Sequence, residues 1–183
     1  MLISPEYAAL NALLHQTDLG YGNHLYNEAE YVALCEAYST TDILDYGCGK
    51  GGLAASLSWP IKEYDPAIPG KDTSAEPADI VVCHDVLEHI EPEFLDNVLA
   101  DLARCVKIIG YFTIAMGPSL DILSDGRNAH LSQHPCEWWR SHLSSYFEVA
   151  LIRERTYIGY KYNIQFIGLT DIAVYVKSFH RLG

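Results

Sequence analysis

The chemistry-bearing residues begin in "ILDYGCGKGG", Ile43 to Gly52. Gly47, Gly49 and Gly52 satisfy G-x-G-x-x-G, the spacing that cradles a pyrophosphate at a helix N-terminus. An acid, Asp45, stands two residues before the first glycine, where such sites usually carry an apolar residue. A carboxylate beside a pyrophosphate is repulsive, whereas it suits a ligand with a cationic group. Glycine lets the backbone come close to that ligand. Asp65 follows twenty residues after Asp45 and can accept hydrogen bonds from ribose hydroxyls. It does not discriminate, since either ligand type carries a ribose. Further on come "HDVLEH", His84 to His89, and "RNAHLSQH", Arg127 to His134. These supply imidazoles and carboxylates suited to proton transfer.

The elements that must hold these residues read as alternating strands and helices. Residues 5–38 look helical: Pro5 suits a first turn, and Ala8, Ala9, Ala12 and Leu13 repeat at helical spacing. Leu25 to Tyr38 is a second helix candidate, and the turn-rich "TDLGYGNHLY" before it reads as a flap. Ile43–Tyr46 reads as a strand, Leu53–Leu57 as a short helix and Ile61–Tyr64 as a second strand closed by Asp65. Ile80–Cys83 is a β-branched run typical of a strand buried on both faces. "EPEFLDNVLADLARCVK" is an amphipathic helix with Phe94, Leu95, Val98, Leu99, Leu102 and Val106 on one face. Tyr111–Met116 is a strand, "PCEWWRSHLSSY" a helix, and "FEVALIRER" and "DIAVYVKSF" are strands that pair antiparallel. The pattern predicts an α/β three-layer sandwich around a mostly parallel sheet.

D-x-G-x-G after the first strand, the acid closing the second, then "DIVVCHDVLEH" and a helix–strand pair resemble class I S-adenosylmethionine-dependent methyltransferases. The resemblance covers roughly residues 42–150. It implies a Rossmann-like fold and S-adenosylmethionine as cofactor. It implies that Asp45 lies near the methionine amino group and that Gly47, Cys48 and Gly49 form the loop under methionine and ribose. It also implies that Asp65, with Tyr64 beside it, holds the ribose hydroxyls, and that His84, Asp85 and Val86 face the methyl-transfer zone. It divides the single domain into an N-terminal helical flap (1–40), a cofactor-binding half (42–116) and an acceptor-side half (117–183).

Two departures stand out. Only thirteen residues, "PAIPGKDTSAEPA", separate Asp65 from Asp79, where the family usually fits a helix and a third strand. Two of its prolines and a glycine leave little room for the helix. A loop or a very short strand near Lys71–Ser74 is expected, with Asp72 the candidate for the adenine amino group. The turn before the fifth strand, often Pro-Gly-Gly in the family, is expected at Ile108-Ile109-Gly110.

On the acceptor side, a His-Leu, a polar spacer and a Trp-containing helix resemble a segment of small-acceptor members. This puts Arg127, Asn128, His130 and His134 at the site mouth, with His130 the first choice of base and His134 the second. Trp138 and Trp139 are expected to be part core and part pocket wall. Asp85, Glu88 and His89 fall at i, i+3, i+4, which in a helix would converge on a divalent ion; together with His134 they resemble the carboxylate–histidine set of the small-RNA 2′-O-methyltransferases. The same D-x-x-E-H occurs in metal-free members, and no metal is expected.

Composition bounds the rest. The chain has 183 residues, 49% hydrophobic and 20% charged, consistent with one globular domain. A net charge of −12 disfavours an extended nucleic-acid partner. Arg153, Arg155 and Lys161 form the only modest basic cluster. No apolar run is long enough to span a membrane. Five widely spaced cysteines without C-x-x-C point to free thiols and a cytoplasmic setting. The expected function is methyl transfer to a small or medium-sized acceptor. The rivals are an RNA, nucleotide or protein methyltransferase, a non-catalytic cofactor-binding partner subunit, and a nicotinamide dehydrogenase that Asp45 disfavours.

Overall fold

The computed structural model describes residues 1–22, 28–161 and 164–178, with side chains described outside 156–170. Among the described residues, six strands form one sheet: β1 (Ile43–Tyr46), β2 (Lys62–Tyr64), β3 (Ala78–His84), β4 (Val106–Ala115), β5 (Phe147–Lys161) and β6 (Ile164–Ser178). Their order is β2-β1-β3-β4-β6-β5. β2, β1, β3 and β4 are mutually parallel, and β6 runs antiparallel to both β4 and β5. The sheet therefore departs from β1 in two directions, and that switch opens a crevice at the strands' carboxyl ends.

Helices cover both faces. On one side α1 (Pro5–Thr17), α4 (Leu95–Cys105) and α5 (Cys136–Leu143) pack over a core that includes Tyr7, Leu99, Phe112, Trp139 and Phe147. On the other, α2 (Glu28–Tyr38) and α3 (Gly52–Ser56) bury Tyr31, Cys35 and Leu53 against Ile43, Ile80 and Val82. Leu95, Val98, Leu99, Leu102 and Cys105 are the buried stripe of α4. Each such side chain stabilises the fold by about 1.5–3 kcal/mol on burial. α2 begins among the described residues at Glu28, so Leu25 and the end of the expected flap lie outside them.

The stretch between β2 and β3 is a loop with no strand of its own. It is pinned instead by backbone and ion-pair contacts: Asp65 N–H donates to Lys71 O at 2.9 Å, and Lys71 Nζ lies 2.9 Å from Glu63 Oε1. The expected turn at Ile108-Ile109-Gly110 is not there. α4 passes straight into β4 at Val106, and Ile109 and Gly110 pair with Ile80 and Val81 of β3. The β-branched Val106, Ile108 and Ile109 favour the extended ladder over a turn. Gly110 is needed for packing, since a Cβ there would sit 2.6 Å from Val176 Cγ2. Val106 and Lys107 therefore leave the helix, and Lys107 binds Asp42 at 3.0 Å. Trp139 is fully buried core rather than pocket wall.

Candidate functional site

The loop after β1 has a conformation that only glycine tolerates well. Gly47 (φ +78°) and Gly49 (φ +50°) are left-handed. A Cβ on Gly47 would collide with Val86, and one on Gly49 would sit 2.6 Å from Gly22 O. The loop is tied to the end of β2. Gly47 N–H and Cys48 N–H both donate to Tyr64 O, at 2.7 and 3.0 Å, and Gly49 N–H donates to Asp65 Oδ2 at 3.0 Å. Asp65 Oδ1 accepts from Ala67 N–H at 2.9 Å. Gly52 opens α3 and lies off the cavity, so the third glycine of the literal fingerprint is incidental.

Above this loop is a cavity of about 390 Å³, within the usual range for small-molecule sites. Gly47, Cys48, Gly49 and Asp65 form its floor, and His84, Asp85 and Val86 at the end of β3 form one wall. The wall is held by Thr113 of β4. Its hydroxyl donates to Asp85 Oδ1 at 2.8 Å, so the 3.0 Å contact with His84 Nδ1 has the imidazole as donor. His84 Nε2 then accepts from Tyr31 O–H at 2.6 Å. Asp85 itself has φ +51° and donates its N–H to Thr113 O at 3.0 Å. Such a backbone in a non-glycine residue persists where the surroundings fix it.

The charge of the lining is one-sided. Asp65, Asp85 and Asp121 face the cavity, and the described lining contains no Lys or Arg. Lys50 donates to the Asp18 and Leu19 carbonyls, and Lys71 pairs with Glu63. Asp45 lies beneath the loop at 1% exposure and is not among the lining residues. Its Oδ2 has no hydrogen-bond partner among the described residues. Burial, reinforced by the charges of Glu63 and Asp65 against that of Lys71, pushes its carboxyl up to about 7.

The roof comes from α1, the first helix of the expected N-terminal flap. Tyr7, Asn11 and His15 recur every fourth residue and line the cavity together. Tyr7 OH, Asn11 Oδ1 and His15 Nδ1 are buried without a hydrogen-bond partner among the described residues. Polar residues at helical spacing inside an otherwise apolar helix were the signal for them. Ser4 caps α1 by accepting from Tyr7 N–H at 3.0 Å, and donates both its N–H and its hydroxyl to Glu91. Tyr21 and Gly22 complete the roof, and Lys50 N–H donates to Gly22 O at 2.9 Å.

Of the four residues expected at the acceptor mouth, His130 alone lines the cavity. A carbonyl can only accept, so the 2.6 Å contact between His130 Nδ1 and Gly117 O fixes the proton on Nδ1. That leaves the lone pair on Nε2. Burial pushes this imidazole's pKa down, favouring the neutral form. His134 stacks on Trp138 with ring centroids 3.6 Å apart, away from the cavity. Arg127 pairs with Asp125, and Asn128 closes the loop by bonding Ser119. Tyr64 packs its ring on Tyr46, and exposed Asp72 accepts from Gly70 N–H; neither side chain lines the cavity. In the basic cluster, Arg155 is held by a two-pronged pair with Asp171 at 2.9 and 2.7 Å, and the Lys161 side chain lies outside the described residues.

No protein-family model and no curated protein matches this sequence. Solved structures do match in shape. The magnesium protoporphyrin IX methyltransferase ChlM of Synechocystis PCC 6803, with bound SAH, aligns over 94% of this chain and 97% of its own, at 17% identity and a TM-score of 0.57. The 1,6-didemethyltoxoflavin-N1-methyltransferase of Burkholderia thailandensis, with bound 1,6-didemethyltoxoflavin and S-adenosylhomocysteine, aligns over 97% and 92%, at 16% and 0.60. The N-methyltransferase NodS of Bradyrhizobium japonicum WM9, with S-adenosylhomocysteine, aligns over 97% and 100%, at 13% and 0.57. At these identities the likeness establishes a shared fold.

Proposed function

We propose that this chain, built on the class I methyltransferase fold, binds S-adenosylmethionine over the Gly47–Gly49 loop and methylates a small or medium-sized acceptor. The observation that carries the reading is the cavity's charge: three carboxylates, and no Lys or Arg among the described lining residues. A pyrophosphate would be repelled there, whereas a ligand bearing an ammonium and a sulfonium is favoured. The residues fit that cofactor. Each Asp65 oxygen accepts one backbone N–H and keeps a lone pair for a ribose hydroxyl. Gly47, Cys48 and Gly49 give backbone clearance above the buried Asp45.

When bound, the cofactor supplies an activated methyl group. The chain's part is to place the acceptor in line with it, which can account for most of the acceleration. Asp85 and Asp121 hold the positive end, and α1 offers Tyr7, Asn11 and His15 to the acceptor. His130 Nε2 takes the acceptor's proton, with its tautomer set by Gly117 O. His134 leaves this role to His130 because its ring is stacked on Trp138. Asp72 reaches the adenine only if the 65–77 loop folds inward. Five free, buried cysteines suit a cytoplasmic setting, and no helix among the described residues is long and apolar enough to cross a membrane.

Calorimetry tests the reading: S-adenosylhomocysteine binds and NAD gives no heat. Binding of neither overturns it. Binding without turnover over a panel of hydroxyl, amine and thiol acceptors favours the non-catalytic partner instead.

A further inference from the structure

We infer that Glu88, His89 and His130 form a site for one divalent first-row cation at the acceptor end of the cavity. Glu88 and His89 lie in the single turn Leu87–His89 after β3, and His130 arrives on the loop after β4. Two contacts lock the segments together: Ser132 N–H donates to Glu88 O at 2.8 Å, and Ser132 O–H donates to Ile90 O at 2.8 Å. One ligand atom from each of Glu88, His89 and His130 then lies within 4.8 Å of the others. With metal–ligand bonds of about 2.1 Å, ligand atoms stand roughly 3–4 Å apart, so small side-chain rotations close the set.

Hydrogen bonding explains why a cation belongs there. His89 Nδ1 lies 2.9 Å from Ala129 O, and His130 Nδ1 lies 2.6 Å from Gly117 O. Both carbonyls must accept, so both imidazole protons are committed and both Nε2 atoms carry lone pairs. The Tyr21 hydroxyl is 3.3 Å from His89 Nδ1, on the committed side of that ring. Glu88 Oε1 accepts from Ala115 N–H at 2.8 Å, while Oε2 is buried with no hydrogen-bond partner among the described residues. Glu88 is completely shielded from solvent. The cluster therefore brings two imidazole lone pairs beside a buried carboxyl oxygen that makes no hydrogen bond among the described residues, which is costly in a dry interior. A histidine whose Nδ1–H is fixed on a backbone carbonyl is also how proteins orient an imidazole toward a metal.

Two imidazoles and one carboxylate suit Zn²⁺, Mn²⁺ or Fe²⁺ better than Ca²⁺ or Mg²⁺, and leave coordination positions open. His89 and His130 line the cavity, so the open side faces the acceptor. An acceptor oxygen can occupy it. That use rests on the methyl-transfer reading; the cation site itself does not. With a cation bound, His130 Nε2 would be a ligand and no longer the base; the ion would lower the acceptor hydroxyl's pKa so that its proton passes to solvent water.

The test uses the full chain, stripped with chelator and dialysed, then titrated with Zn²⁺ and separately with Mn²⁺ by calorimetry. One equivalent per chain is expected for at least one ion. His89→Ala and His130→Ala should each weaken binding at least tenfold, while His134→Ala leaves it unchanged. Circular dichroism and thermal unfolding check that each variant is folded, and His130→Gln serves if His130→Ala is not. Absence of binding of both ions overturns the inference, as does binding that survives in folded His89 and His130 variants. Cation binding without S-adenosylhomocysteine binding refutes the methyl-transfer reading alone. The reverse result refutes the cation site alone.

Discussion

Gly49 donates its backbone N–H to the Asp65 carboxylate at 3.0 Å, so the glycine loop after β1 and the acid ending β2 are one hydrogen-bonded unit. Replacing Asp65 therefore removes a ligand group and releases the loop. Asp65→Ala is expected to lower affinity for S-adenosylhomocysteine by about tenfold or more, from lost charge-assisted bonds. Asp65→Asn, which keeps an acceptor oxygen, should retain more. Equal affinities of wild type and Asp65→Ala would remove Asp65 from the site.

Gly49→Ala puts a Cβ 2.6 Å from Gly22 O in a left-handed backbone. The expected cost is about 1–3 kcal/mol of stability, together with displacement of the Tyr21–Gly22 roof. Chemical denaturation reads the first effect and calorimetry the second. Gly70→Ala is the control: it has the same left-handed strain (φ +88°) with nothing within 4 Å of the new methyl.

Asp45 makes stability depend on pH. Its folded pKa, about 7, lies above the ordinary 3.8, so the unfolded chain loses the proton first as pH rises. The stability this group contributes is complete below 3.8 and is lost as pH rises through about 7. The difference corresponds to about 4 kcal/mol at most. Asp45→Asn should therefore unfold at higher temperature than wild type at pH 8 and show little gain at pH 4. A Tm difference that does not change with pH would refute the buried-acid account.

Tyr7 OH is buried without a hydrogen-bond partner among the described residues, so its removal should not destabilise the fold. Tyr7→Phe is expected to unfold at the same or slightly higher denaturant concentration, since no hydrogen bond is lost. If the hydroxyl serves a bound acceptor, kcat/KM falls while S-adenosylhomocysteine affinity holds. A destabilised Tyr7→Phe would contradict the hydrogen-bond assignment.

The strand–loop–strand floor was legible because its signals are local. Asp45, Gly47, Gly49 and Asp65 sit on or beside strand ends that apolar periodicity marks out. The loop replacing a third strand was legible from its prolines. The α4–β4 junction was misread because Ile108-Ile109-Gly110 looks like a turn until Val176 of β6 is seen packing against Gly110. His134 and His130 could not be separated by sequence, since a ring stacked on Trp138 and a ring aimed into a cavity have the same spacing signature. The polar face of α1 went unread because Tyr7, Asn11 and His15 acquire meaning only once the helix lies over a cavity formed by residues far along the chain.

The Ser4–Glu91 contact spans 87 residues, and its partner residue follows the third strand of the sheet. α1 therefore cannot reach its final position until β1, β3 and the turn bearing Glu91 have assembled. Closing so long a loop carries an entropic cost that local helix formation does not repay. The cavity is thus expected to acquire its roof late in folding, as a closing step separable from formation of the sheet.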